Sequence, residues 1–198
     1  MLPRDVELLF EVGCMRHIPR TWREFGGIPF ANLAEHTMRI AWIAMLIAQS
    51  EGGDVGKIVR MALVHDLGET RTGDVNYVTR LYVKRDEALA VSDTLASTSL
   101  EKDMKALWEE VEAKETLEAK IVKDADNLDC DLEFKEQASN GMTWNEDIRE
   151  IRLKVRERLF TETAKQLFDL IHSANPHDWH RKNRNRLTAG DWSEPLAS

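Results

Sequence analysis

The strongest constraint in this sequence is its helical punctuation. Asn32 stands three residues before Glu35, and an apolar run to Ala48 follows before Glu51-Gly52-Gly53 breaks it. Asn32 can cap the first turn while Glu35 reaches back, so a helix is predicted from Asn32 to about Glu51. Asp54 caps the next, which carries Ile58, Met61, Ala62 and Leu63 and runs to about Asp66. Before them, Pro3–Cys14 reads as a first helix with Val6, Leu9, Phe10 and Gly13 on one side. Residues 16–31, with Pro19, Pro29 and Gly26-Gly27, read as a loop. Leu67–Asn76, with Gly68 and Gly73, reads as a turn. Helices resume at about Lys84–Thr98, Leu100–Ala113 and Glu115–Ser139, the last stopped by Asn140-Gly141. Two more are expected at Asn145–Phe160 and Thr161–Ser173, followed by a polar tail from Pro176. No stretch alternates long enough to make a strand. The expected fold is all-α, an irregular helical bundle in one domain over residues 1–198.

Composition narrows the function classes. The 198 residues are 42% hydrophobic, enough for a sizeable core. Lys and Arg number 27 against 35 Asp and Glu, a net charge of −8, which argues against grip on a nucleic-acid backbone. The acidity is local. Residues 101–150 hold 7 basic and 16 acidic side chains, and the remainder is nearly neutral. The basic cluster Arg181, Lys182, Arg184, Arg186 reads as a solvated face. The longest apolar run, Ala41–Ala48, is far short of the ~20 residues that span a bilayer, and Met1–Glu11 has no secretory pattern. Cys14 and Cys130 read as free, packed thiols. The expectation is a soluble, cytoplasmic protein with neither a membrane nor a nucleic-acid polymer as partner.

Chemistry concentrates in a few places. His65-Asp66 follows the apolar stretch Ala62-Leu63-Val64 and precedes Gly68-Glu69. Imidazole nitrogen and carboxylate oxygen both suit a borderline divalent ion. Adjacent helical residues diverge by about 100°, so a shared metal needs this pair at a helix end. His36 lies in the first turns of an apolar helix. In Lys123-Asp124-Ala125-Asp126-Asn127-Leu128-Asp129, Asp126 is expected to border the apolar stripe more closely than Asp124, and a buried carboxylate needs a partner that a metal can supply.

The order His36, His65-Asp66, Asp126 resembles the HD-domain metal-dependent phosphohydrolases. Arg20-Thr21-Trp22, Ala34-Glu35-His36-Thr37, His65-Asp66-Leu67-Gly68-Glu69, Thr72-Gly73-Asp74, Asp74-Val75-Asn76-Tyr77 and Arg85-Asp86-Glu87-Ala88 are similar to the 5'-deoxynucleotidase branch of that superfamily. The resemblance covers about Leu8–Gly141. It implies His36, His65, Asp66 and Asp126 as ligands of one divalent ion, with Co, Mn, Fe, Ni, Zn and Mg all open. It implies Glu69 as the group that handles protons, Arg20 on the phosphate, Asp74 near the sugar and Trp22 packing on sugar or base. The resemblance also implies a homodimer, the state of many members.

The activity implied is removal of phosphate from nucleoside 5'-monophosphates by a metal-activated water. Two alternatives stay open. The same centre can serve di- or triphosphates, cyclic nucleotides or an unusual phosphorylated metabolite, with Lys84, Arg85 or Lys123 as added cations. The domain can also be a non-catalytic nucleotide sensor. His17, His172, His177 and His180 fall outside the ligand set.

Overall fold

A computed structural model describes residues 2–26, 30–142 and 145–181. Gly27, Pro29 and the basic-tail residues Lys182, Arg184 and Arg186 lie outside the described residues. The described residues are helical apart from turns, with one isolated antiparallel bridge between Pro19 and Asn32 and no strand. The architecture is all-α, as the punctuation predicts.

The helices are α1 (Pro3–Gly13), α2 (Arg23–Gly26), α3 (Leu33–Glu51), α4 (Val55–Val64), α5 (Glu69–Thr72), α6 (Glu87–Leu95), α7 (Glu101–Ala113), α8 (Leu117–Ser139), α9 (Asn145–Arg158), α10 (Glu162–Ser173) and α11 (Asp178–Arg181). The starts of α3 and α4 follow the expected caps. Asn32 accepts from the Glu35 backbone N–H, and the Glu35 carboxylate returns the bond to Asn32. Asp54, Asp86, Thr116 and Thr161 cap α4, α6, α8 and α10, each side chain accepting from the backbone N–H three residues on. Gly52 ends α3 in the left-handed region at φ 82°, where a side chain would be strained. The loop expected at 16–31 contains α2, and the turn expected at 67–76 contains α5. Each is a single helical turn.

The core lies where α3 packs along both α4 and α8, with α7 and α10 closing two further sides. Ile40, Ile47, Ile58, Met61, Ile121, Leu128 and Phe168 are fully buried there. Each such side chain contributes about 1.5–3 kcal/mol of transfer free energy. No described helix is long and apolar enough to cross a membrane.

Three sequence expectations need correction. The side of α1 carrying Val6, Leu9 and Phe10 is exposed, and Leu8 is the residue α1 buries. The helix carries two apolar rows, and the tertiary contacts select the smaller one. Cys14 is exposed and Cys130 only partly buried. Asp124, not Asp126, is the carboxylate sunk in the core: its side chain is wholly buried, and Asp126 keeps 21% of its side-chain exposure. Asp124 accepts from the backbone N–H groups of Phe160 and Thr161 and from the Thr161 hydroxyl, each at 2.8 Å. It anchors the start of α10 to α8. On the next face of α8, Asp131 takes a two-bond grip from Arg152, which docks α9.

Candidate metal centre

α3, α4 and α8 bring His36, His65 and Asp126 together, each offering a ligand atom within 4.8 Å of the others. His36 directly follows Glu35, which closes the capping box that starts α3. His65 is the C-cap of α4, with Asp66 in the turn beyond. That helix end lets two adjacent side chains converge. Asp66 Oδ2 lies 3.1 Å from His65 Nε2 and 3.4 Å from His36 Nε2, and Asp126 Oδ1 lies 3.4 Å from His36 Nε2. All four residues expected from the sequence therefore meet in one cluster.

The donor chemistry fits a cation. His36 Nδ1 lies 2.5 Å from Asp129 Oδ2, and His65 Nδ1 lies 2.7 Å from the Ala62 carbonyl. These bonds put the ring protons on Nδ1. They leave both Nε2 lone pairs facing carboxylates, buried and without hydrogen-bond partners. Two lone pairs turned toward two carboxylates repel unless a positive charge lies among them. In the protein alone a proton answers that field. Burial opposes the His36 imidazolium, but the surrounding Asp126, Asp129 and Asp66 carboxylates hold its pKa well above the ordinary value. Burial likewise opposes ionisation of Asp66 and Asp126. The imidazoles beside both, and Lys123 beside Asp126, hold the two carboxyls well below the usual carboxylate range. A divalent ion is the stronger answer to the same field.

Residues 12–168 match the HD domain family. The chain belongs to the HD domain family. A protein named 5'-deoxynucleotidase HDDC2 in Bos taurus is 29% identical over 137 residues, which span 66% of this HD chain and 66% of that protein's length. A conserved hypothetical protein of Pyrococcus furiosus superposes with a TM-score of 0.72 at 26% identity, covering 85% of this chain and 99% of that one. A structure described as a predicted metal-dependent phosphohydrolase, from Magnetospirillum magnetotacticum, superposes at 0.65 with 25% identity, covering 85% and 94%.

Around the HD cluster stand the other expected residues. Arg20, held by the Pro19–Asn32 bridge, places Nη1 3.7 Å from Asp66 Oδ2 and 3.4 Å from Asp74 Oδ2. Arg20 pairs with both carboxylates by charge, and among the described residues no acceptor takes a hydrogen bond from its guanidinium. Burial works against the Arg20 charge, but Asp74, Asp66 and Asp126 raise its pKa above the ordinary value. Asp74 Oδ2 accepts from the Thr21 N–H at 3.0 Å and the Thr21 hydroxyl at 3.3 Å, which ties the Arg20 loop to the turn after α5. Asn76 donates to Glu24 at 2.5 Å and makes a second tie. Between the ties lies a cleft of about 120 Å³ bounded by Arg20, Trp22, Phe25, Asp74 and Tyr77. Trp22 sits 4.9 Å from Phe134 and 6.3 Å from both Phe25 and Tyr77, ring centre to ring centre.

Glu69 opens α5 and is buried. Burial, reinforced by the Asp66 and Asp74 carboxylates, pushes its carboxyl up to about 8 against the pull of Arg85 and Arg20. Oε1 accepts from Arg85, and Oε2 has no partner.

Sequence reasoning missed two residues here. Asp129 accepts from His36 Nδ1 and from Arg39 Nε, and Arg39 also forks onto Glu136. Such outer partners fix the tautomer and orientation of a ligating histidine. The available signal was spacing: Asp126 and Asp129, and His36 and Arg39, are each i, i+3 pairs on one helix face. Of the remaining histidines, His172 pairs with Asp131 at 3.1 Å, and His177 and His180 lie 3.3 Å apart on the turn of α11.

Proposed function

We propose that this chain is a metal-dependent phosphomonoesterase that hydrolyses 2'-deoxyribonucleoside 5'-monophosphates to deoxynucleoside and phosphate. One observation carries the reading: two buried, unpartnered imidazole Nε2 atoms face two carboxylates, with the Arg20 guanidinium beside them. His36, His65, Asp66 and Asp126 would hold the ion. A bound divalent ion supplies Lewis-acid charge at the phosphoryl group and a water acidic enough to attack near neutral pH.

The chain's own groups do the rest. Arg20 binds non-bridging phosphate oxygens through its planar fork. Glu69, with a pKa of about 8, carries a proton at neutral pH and gives it from Oε2 to the departing 5'-oxygen of the sugar. Asp74 has one oxygen committed to Thr21 and accepts from the 3'-hydroxyl with the other, close enough to disfavour a 2'-hydroxyl. Trp22, Phe25 and Tyr77 supply an aromatic wall for the base. Two of the three cations that would extend the site to longer phosphate chains are otherwise engaged. Arg85 is spent on Glu69, Gly73 and Glu87, Lys123 lies 2.6 Å from Asp126, and Lys84 is exposed. That distribution favours monophosphates over di- or triphosphates.

The reading includes one HD unit acting as a homodimer in the cytoplasm. Support for pairing comes from the exposed row Met38, Trp42 and Leu46 on α3, at 58–62% exposure. Light scattering on a sizing column decides it, and a monomer at micromolar concentration overturns that part. The activity is tested by measuring phosphate released from deoxy- and ribonucleoside 5'-monophosphates by protein loaded with each candidate metal. Faster release from the deoxy series is expected. Equal rates overturn the sugar preference, and no release from either series overturns the activity.

A further inference from the structure

Glu69 has one oxygen anchored and one open. Its Oε1 accepts from Arg85 Nη1 at 3.0 Å, while Oε2 is buried and unpartnered. The same Nη1 donates to the Gly73 carbonyl at 2.7 Å, and Nη2 of Arg85 lies 2.6 Å from Glu87 Oε1. Gly73 sits at φ 73° and ψ 155°, a conformation L residues avoid. It turns the chain from α5 toward Asp74. A single guanidinium therefore fixes the rotation of the Glu69 carboxyl and the backbone one residue before Asp74.

Arg85 is not placed to bind phosphate. Its side chain is only 11% exposed, and its donors are committed to three acceptors on two helices and a turn. The charged groups facing Glu69 are Asp66, Asp74, Arg20 and Arg85. Two of these repel the glutamate, and Arg20 makes no hydrogen bond to it. Arg85 alone supplies directional restraint, and a planar fork can span separate acceptors in fixed geometry where an ammonium cannot.

We propose that Arg85 is a positioning residue. It holds Glu69 so that the open Oε2 faces the reacting phosphate ester. This rests on the proposed phosphomonoesterase reading, in which Glu69 gives up the proton. Arg20 and Arg85 then divide the work, one on the substrate and one on the acid.

The test uses the full metal-loaded chain and four variants: Arg85→Met, Arg85→Lys, Glu69→Gln and the double variant Glu69→Gln/Arg85→Met. Arg85→Met should lower kcat on deoxynucleoside monophosphates by about 10- to 100-fold, with KM and metal content nearly unchanged, since mispositioning forfeits part of the acid's contribution. Arg85→Lys should recover part of the loss. In the Glu69→Gln background the Met substitution should cost kcat less than about threefold, because the group it positions is already disabled. Additive losses in the double variant overturn the proposal. So does a rise in KM at unchanged kcat, which makes Arg85 a substrate contact. A crystal structure of Arg85→Met gives a readout independent of turnover: the Glu69 carboxyl should rotate away from the cluster, and an unmoved Glu69 overturns the proposal. Where Arg85→Met fails to fold, the same cycle is run with Arg85→Lys. If the wild-type chain releases no phosphate from nucleotides, the substrate reading fails by itself, and the position of Glu69 in the variant crystal still decides for or against Arg85.

Discussion

Replacing Asp129 with Asn probes the candidate metal centre through a residue outside the proposed ligand set. Both oxygens of Asp129 are in use, Oδ2 on His36 Nδ1 and Oδ1 on Arg39 Nε, and the side chain is buried. Asn is nearly isosteric but offers one acceptor and one donor group. With its oxygen toward His36, its NH₂ meets the Arg39 N–H, donor against donor. With its oxygen toward Arg39, its NH₂ donates to His36 Nδ1, and the imidazole proton moves to Nε2, where the ion must bind. The first orientation leaves the half-buried Arg39 with Glu136 as its remaining partner and a donor clash at Nε, and the second removes a proposed ligand. Loss of an outer partner of this kind costs about 10- to 100-fold in metal affinity, or about 1.4–2.7 kcal/mol. The assay is competition for the ion against a chromophoric chelator, with metal content by mass spectrometry. Thermal unfolding of the metal-free protein confirms that the variant is folded. A folded Asp129→Asn that binds its ion within about twofold of wild type would refute the argument that Asp129 sets the His36 tautomer.

Three further outcomes follow from the same geometry. The Glu69 carboxyl is held near 8 in the folded chain, above about 4.3 unfolded. Its stabilising proton is therefore fully present below the unfolded pKa and lost as pH rises through about 8. Urea denaturation of the metal-free protein should show Glu69→Gln more stable than wild type at pH 8, with the gap narrowing toward pH 5; a gap independent of pH contradicts the assignment. Arg20→Met should raise KM for a nucleoside monophosphate about tenfold or more at unchanged metal content, since a charge-assisted fork is lost, and steady-state kinetics beside metal analysis would expose an unaltered KM. Asp124→Asn keeps one acceptor oxygen and turns its NH₂ either on the Phe160 N–H or on the Thr161 N–H and hydroxyl. It should destabilise the fold by about 1–3 kcal/mol in chemical denaturation while leaving metal affinity alone, and a matching loss of metal would mean that Asp124 and Asp126 are not separable.

The parts of this molecule legible in the sequence are those governed by local rules. Asn32 and Glu35 announce the start of α3 because a capping box is closed within four residues. His65-Asp66 can share a cluster because the helix ends there, and Gly68 and Gly73 mark the end in the sequence. The illegible parts depend on partners far along the chain. Nothing near Asp129 says that Arg39, ninety residues earlier, will share it. Nothing near Arg85 says that it will anchor Glu69 and Gly73.

Asp124 and Asp126 make the distinction concrete. Burial next to an apolar stripe was expected to single out the ligand, and it singles out Asp124 instead. Asp124 can be wholly buried because the start of α10 brings it two N–H donors and a hydroxyl, a set that satisfies a carboxylate without any ion. Asp126 meets the opposite situation. Lys123 takes one of its oxygens, and the other lies 3.4 Å from His36 Nε2, an atom that has no hydrogen-bond partner. What marks a candidate ligand in this fold is therefore the shortage of donors around it rather than its depth, and that shortage becomes visible only once α3, α4 and α8 are packed together.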